Sequence, residues 1–251
     1  MKGYRSILLL ILIVLFAEPL SFSASFERNP LQTDTTRSGK KAFLWKEQIV
    51  PGVLIISGLA VSGKDTKEKL QDMFPRTNTK IDNWLQWAPD AMMYTADIFT
   101  AKHKNNVFNQ TKYLIFSQLS TAAIVQILKK TTHVTRPNGG SLSFPSGHTS
   151  NAFAGATVLF QEYRDYNMAI AYSGYLFSTA TGVLRVTNNR HWVPDVLVGA
   201  GIGMLVTNLI YYFEPLKNWD PFRLSKKDKV ALFPEIDPDN NSYCLTVRIK
   251  L

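Results

Sequence analysis

Three short motifs follow one another along the chain: Lys129-x6-Arg136-Pro137, Pro145-Ser146-Gly147-His148, and Arg185-x5-His191-x3-Asp195. Together they hold three cations, two imidazoles and a carboxylate. Those groups suffice to bind a phosphate, attack it with a histidine and protonate its leaving oxygen without a metal. In the first motif Lys129 closes an apolar stretch, and Pro137 biases Arg136 toward extended backbone, so both cations can converge on one anion. Taken alone, this motif reads first as Lys129 and Lys130 complementing a helix C-terminal dipole.

The second motif is a Pro/Gly turn running into a helix that begins near Thr149, so free backbone N–H groups make it an anion site. Ser146 can donate its hydroxyl, Gly147 lets the backbone approach closely, and His148 stands where an acid is needed. An ordinary serine N-cap followed by a satisfied histidine is the alternative. In the third motif Arg185 ends one apolar helix and Pro194 suits the first turn of the next. Asp195, four residues after His191, can fix the imidazole tautomer and leave the other ring nitrogen free to attack phosphorus. A buried structural His–Asp pair has the same spacing.

Six apolar stretches must position these groups: Ile49–Gly63, Trp84–Ala101, Tyr113–Leu128, Thr149–Gln161, Tyr166–Leu184 and Val196–Phe213. Most exceed strand length and polar connections separate them, which predicts an all-α six-helix bundle. Beyond residue 213, Val230–Phe233 and Tyr243–Leu251 read as strands around the turn Asp237-Pro238-Asp239-Asn240, a small C-terminal β-hairpin packed on the bundle. The expected organisation is a signal peptide over 1–25, a polar lead-in over 26–48, a helical domain over 49–213 and a tail over 214–251.

On these residues the chain resembles the type 2 phosphatidic acid phosphatase superfamily, which includes bacterial nonspecific acid phosphatases and vanadate-dependent haloperoxidases. The match is specific from Lys129 to Asp195 and loose over Ile49–Phe213. The resemblance implies an all-helical fold and a metal-free, cofactor-free phosphatase working through a phosphohistidine. It makes His191 the nucleophile, Asp195 its orienting partner and His148 the general acid. Lys129, Arg136 and Arg185 then bind the phosphoryl oxygens, with Ser146 and the Gly147 amide assisting. One departure is visible, because Leu184 stands where the family usually has a serine.

At the N-terminus, Lys2 and Arg5 precede the apolar run Ile7–Ala17, which Glu18 and Pro19 end well short of the roughly 20 residues of a membrane span. Small residues follow, so the segment reads as an export signal rather than an anchor. Its removal would take away two cations and one anion, lowering the net charge from +9 to +8. A basic exported chain suits anionic partners, and the expected one is a phospholipid or other lipid phosphate at a membrane. Nucleic-acid binding is not expected, since no basic cluster is interleaved with aromatics in a recognised module.

Loop charges bear on topology. If all six stretches crossed a bilayer after export, Lys102, Lys104, Lys112 and the basic tail would lie outside, against the positive-inside tendency. If one of the first two does not cross, those segments move inside and both motif regions move outside. The expected location is therefore a bacterial inner membrane with the active site facing the periplasm; a soluble periplasmic enzyme is the competing reading. His103 and His133 belong to polar loops, and the four histidines lack metal-ligand spacing.

Overall fold

The computed structural model describes residues 45–99 and 102–213, Leu216, Trp219, and the backbone of 230–237 and 242–249. The expected signal peptide and nearly all of the polar lead-in lie outside these residues. Among these residues, a 3-10 turn at Trp45–Gln48 leads into eight α-helices: α1 Ile49–Ala60, α2 Lys64–Gln71, α3 Ile81–Leu85, α4 Ala88–Phe99, α5 Val107–Thr132, α6 Gly147–Tyr163, α7 Met168–Thr187 and α8 Val193–Tyr212. The expected all-helical architecture is present.

Four of the six apolar stretches became single helices running a few residues past their apolar ends, and the first became α1. Asn106 starts α5 by accepting the Asn109 amide at 2.9 Å, and Asn167 starts α7 by accepting that of Ile170 at 3.2 Å. Such caps are each worth about 1 kcal/mol. The second stretch is divided: α3 ends at Leu85, and Pro89 occupies the first turn of α4, where its missing N–H costs nothing. The sequence reading also lacked α2, whose Lys- and Glu-rich surface buries only Leu70 and Gln71.

Helix α6 is central and packs against α4, α5, α7 and α8. Ala152, Ala154, Ala156, Val158, Leu159 and Tyr163 on it are fully buried. Each large apolar side chain so removed from water contributes about 1.5–3 kcal/mol. Close approach of α8 to the start of α6 depends on Gly199, where a Cβ would stand 2.7 Å from the Ser146 carbonyl oxygen. That contact brings the second and third motifs together.

A break between two compact units falls at Tyr212–Phe213. Within the second unit, β1 Val230–Asp237 and β2 Ser242–Ile249 form an antiparallel hairpin with Val230 opposite Ile249 and Asp237 opposite Ser242. The first strand is longer than expected and runs through Pro234.

By length and composition, one described helix, Val193–Tyr212, is apolar enough to cross a membrane; the pair Trp45–Ala60 and Lys64–Gln71, bent by 105°, passes only when joined. Helix α7, Met168–Thr187, does not pass the same test. Ser173, Ser178, Thr179, Thr181 and Arg185 dilute the apolar character of α7.

Candidate active site

The three motifs meet where the end of α5, the start of α6, the end of α7 and the start of α8 come together. Lys129, in the last turn of α5, is 8% exposed. Its Nζ donates to the carbonyl oxygens of Leu142 (2.7 Å) and Ser143 (3.2 Å), tying the helix end to the strand of loop that precedes the second motif. Between them the chain folds into a narrow loop. The Arg136 amide donates to Gly140 O at 2.7 Å and the Ser143 amide to Val134 O at 2.7 Å. Gly139, at φ +84°, makes the turn in the left-handed region.

Ser146 is the N-cap of α6 and fully buried. Its hydroxyl pairs with Thr149 Oγ1 at 2.9 Å, and its amide donates to the Asp195 carbonyl at 3.0 Å. A Cβ on Gly147 would lie 4.0 Å from Lys129 Cε, so the first turn of α6 faces the lysine. Helix N-terminal amides and the ammonium therefore share one corner.

The third motif is held by the Arg185 carbonyl, which accepts the amides of Arg190 (3.1 Å) and His191 (3.2 Å) as α7 ends. Asn189, at φ +58°, completes the reversal. His191 and Asp195 are each 2% exposed, and His191 Nδ1 stands 3.5 Å from Asp195 Oδ2. At that length the contact is electrostatic and short of a formed hydrogen bond. The same carboxylate oxygen accepts the Ser143 hydroxyl at 2.5 Å and the Trp192 amide at 3.0 Å, which fix its position at the head of α8.

The charges of these groups act on one another. Burial lowers the Lys129 ammonium to about 8, with Arg136 and Arg185 adding to the fall and Asp195 opposing it. Burial lowers Arg136 as well, followed by Arg185 and Arg190. For His191, burial pushes the imidazole down to about 4 against the pull of Asp195. His148 is also lowered to about 4, by burial first and then by Arg185, His191 and Arg136, while Asp82 raises it. At neutral pH both imidazoles are therefore uncharged among three cations. Arg136 Nε and Arg185 Nε are buried with no hydrogen-bond partner, donors suited to an anion.

All eight residues singled out by sequence thus converge: Lys129, Arg136, Ser146, Gly147, His148, Arg185, His191 and Asp195. His133 caps α5 and His103 sits in the loop before α5 with Nδ1 on Asn105 O, both in loops as expected. Sequence reasoning missed Ser143, Asp82, Asn83 and the role of Asn188. Asp82 Oδ2 forms a buried ion pair with Arg185 Nη1 at 2.5 Å. Asn83 Oδ1 lies 3.0 Å from His148 Nε2. None of these residues falls in a periodic or turn pattern that marks it.

Residues 138–219 match the profile of the PAP2 superfamily. Over that segment the chain is similar to the PAP2 superfamily. The matched segment includes the second and third motifs. The lipid A 1-phosphatase of Porphyromonas gingivalis is 32% identical over 252 residues, covering 91% of this chain and 56% of its own length. The chain thus spans about half the length of that curated relative. Two solved structures are more distant. LpxE of Aquifex aeolicus is 23% identical, with 53% of this chain and 84% of that one covered and a TM-score of 0.44. A transmembrane PAP2 type phosphatidylglycerolphosphate phosphatase from Bacillus subtilis is 17% identical, with 70% and 99% covered and a TM-score of 0.43.

Proposed function

We propose that this PAP2-like protein is a metal-independent phosphatase of lipid phosphomonoesters, with the sugar-linked phosphate of a lipid A-like molecule as the leading substrate. The observation that carries the reading is the gathering of two uncharged imidazoles and three cations around the N-terminus of α6. His191 Nε2 attacks phosphorus as the ester P–O bond breaks, and Lys129, Arg136 and Arg185 neutralise the phosphoryl oxygens. His148 gives its proton to the leaving oxygen. Water then attacks the phosphohistidine, His148 takes back a proton, the N–P bond breaks and phosphate departs.

His148 must be protonated for the first step, although in the free protein burial first and the surrounding cations after it hold it neutral. A phosphoryl dianion opposes the field of those cations, so substrate binding favours the imidazolium at the moment it is needed. His191 gains from the opposite condition, since its lone pair is available down to about pH 4.

A membrane setting agrees with the apolar surface of the bundle. On α1 the exposed Ile49, Val53, Ile56 and Leu59 recur every three or four residues, and on α5 Phe108, Ile115, Leu119 and Ile127 are exposed. Stripes of this kind suit lipid tails. With the motif loops outward, the phosphate site lies level with lipid head groups on the periplasmic face. The single long apolar helix among the described residues, most of it buried, favours a second reading, a soluble exported phosphatase of small esters.

One experiment separates them. In a detergent-free lysate the lipid enzyme pellets with membranes, and after extraction it releases phosphate from lipid A or phosphatidic acid faster than from p-nitrophenyl phosphate, with or without chelator. Supernatant protein that prefers the small ester supports the second reading, and loss of turnover with chelator overturns the metal-free mechanism. A second expectation concerns Arg136: Arg136→Lys replaces a planar fork by a point charge and should lower kcat/KM about tenfold or more. Unchanged steady-state kinetics would contradict a forked contact to phosphate.

A further inference from the structure

The segment between α2 and α4 carries two consecutive residues that touch the site, although it belongs to none of the three motifs. It is fastened to the end of α7. The Thr77 amide donates to Thr187 O at 2.9 Å and the Thr79 amide to Asn188 Oδ1 at 3.0 Å. Asn188 Nδ2 returns bonds to Thr79 O at 2.9 Å and Asp82 Oδ1 at 3.1 Å. Thus α3 is docked by the loop that holds Arg185 and His191. Asp82, 2% exposed, is consumed by Arg185 and Asn188, whereas Asn83 has an exposed side chain whose amide oxygen meets His148 Nε2 at 3.0 Å.

We propose that Asn83 is a positioning residue for the general acid: its amide oxygen holds His148 Nε2 as an N–H donor, orienting the ring and favouring the imidazolium over the neutral form. The proposal rests on the phosphatase reading above. An amide oxygen only accepts, so the nitrogen facing it must carry hydrogen. That requirement is met by the imidazolium and by one neutral tautomer, and the bond favours the charged form. The other groups facing His148 are Arg185 from the end of α7, His191 and Arg136 from the motif loops, and Asp82 from α3. The three basic groups oppose the charge. Asp82 favours it but is already bound to Arg185 and Asn188, so Asn83 is the polar neighbour hydrogen-bonded to the imidazole itself.

The test uses full-length protein in detergent micelles, comparing wild type with Asn83→Ala and Asn83→Asp. Both changes lie on an exposed side chain and should leave the fold intact, checked by circular dichroism and thermal midpoint. Two readouts are taken: the pH profile of kcat for phosphate release from dioleoyl phosphatidic acid, and the His148 titration followed by NMR of 15N-histidine-labelled protein. For Asn83→Ala the alkaline limb and the His148 midpoint should move to lower pH, with kcat at neutral pH falling about three- to tenfold. For Asn83→Asp, where a carboxylate replaces the amide, both should move to higher pH.

A structural role alone would shift neither readout in opposite directions. Coincident midpoints in the three proteins, or shifts of one sign in both variants, overturn the assignment of Asn83 while phosphate release by wild type leaves the phosphatase reading standing. If wild type releases no phosphate from phosphatidic acid or lipid A, the phosphatase reading falls and takes the catalytic role of Asn83 with it, even with the midpoints in the expected order.

Discussion

His191→Ala should lower phosphate release by about 10^4-fold or more, since it deletes the atom that forms the covalent intermediate and leaves the cations with nothing to deliver the phosphoryl group to. The residual rate should match the contribution of the anion pocket alone. His191 is 2% exposed, so the truncation also opens a small buried space. Thermal unfolding of the variant therefore accompanies the kinetics, to separate lost chemistry from lost fold. Trapping gives the second readout. With 32P-labelled lipid phosphate, rapid quenching of wild type at high pH should retain label on protein, because a phosphohistidine survives base and hydrolyses in acid. The alanine variant should retain none. Turnover within tenfold of wild type in a folded His191→Ala protein would show that another group attacks phosphorus.

The motif residues were legible because each is defined over a few neighbouring positions, and local spacing survives folding. His191 and Asp195 must lie near each other across the first turn of α8 in almost any fold. The partners that hold the site in shape are of another kind. Asp82 lies 103 positions from Arg185, Asn83 lies 65 from His148, and Ser143 lies 52 from Asp195. No period or turn rule connects residues so far apart, and Thr77–Asn83 reads as an ordinary polar linker.

Helix positions show the same division. Long apolar stretches announced α5 to α8, because burial on several sides demands continuous apolar sequence. The extra turns of α5 did not register, since its polar beginning, from Asn106 through Lys112, gains its place through Asn106 capping and buried Gln110. Gln110 donates to Asp97 Oδ1 and Asn105 O, contacts that exist only once α4 and α5 are assembled. Likewise α2 is a polar helix whose Gln71 bonds the Val186 carbonyl, and its register is set by α7 rather than by its own composition.

The electrostatics carry a further lesson. A cluster of three cations, two of them buried, with two imidazoles is costly in the free protein: burial first, and the neighbouring cations after it, lower Lys129, Arg136, His148 and His191. An arriving phosphoryl dianion offsets the contribution of the cations. Affinity for the anion and protonation of His148 are therefore coupled, and substrate should bind with proton uptake near neutral pH.

Asp195→Asn should leave the fold largely intact yet lower kcat by about 10^3- to 10^4-fold, comparable with neutralising the carboxylate of other His–Asp catalytic pairs. The carboxylate oxygen Oδ2 accepts the Ser143 hydroxyl and the Trp192 amide, and an asparagine carbonyl oxygen can keep both bonds. That same oxygen is the one facing His191 Nδ1, so the asparagine keeps an acceptor there but loses the negative charge that offsets the positive charge building on the imidazole as Nε2 bonds to phosphorus. The sign of the pH effect is also fixed. Asp195 raises the affinity of His191 for a proton, so its neutralisation should move the acidic limb of the kcat profile to lower pH, below about 4. A variant with low kcat, an unchanged or lowered acidic limb and near-native thermal midpoint fits the loss of that charge. Wild-type kcat in Asp195→Asn would mean that Asp195 serves only the Ser143 and Trp192 contacts, and that the imidazole is oriented by something else.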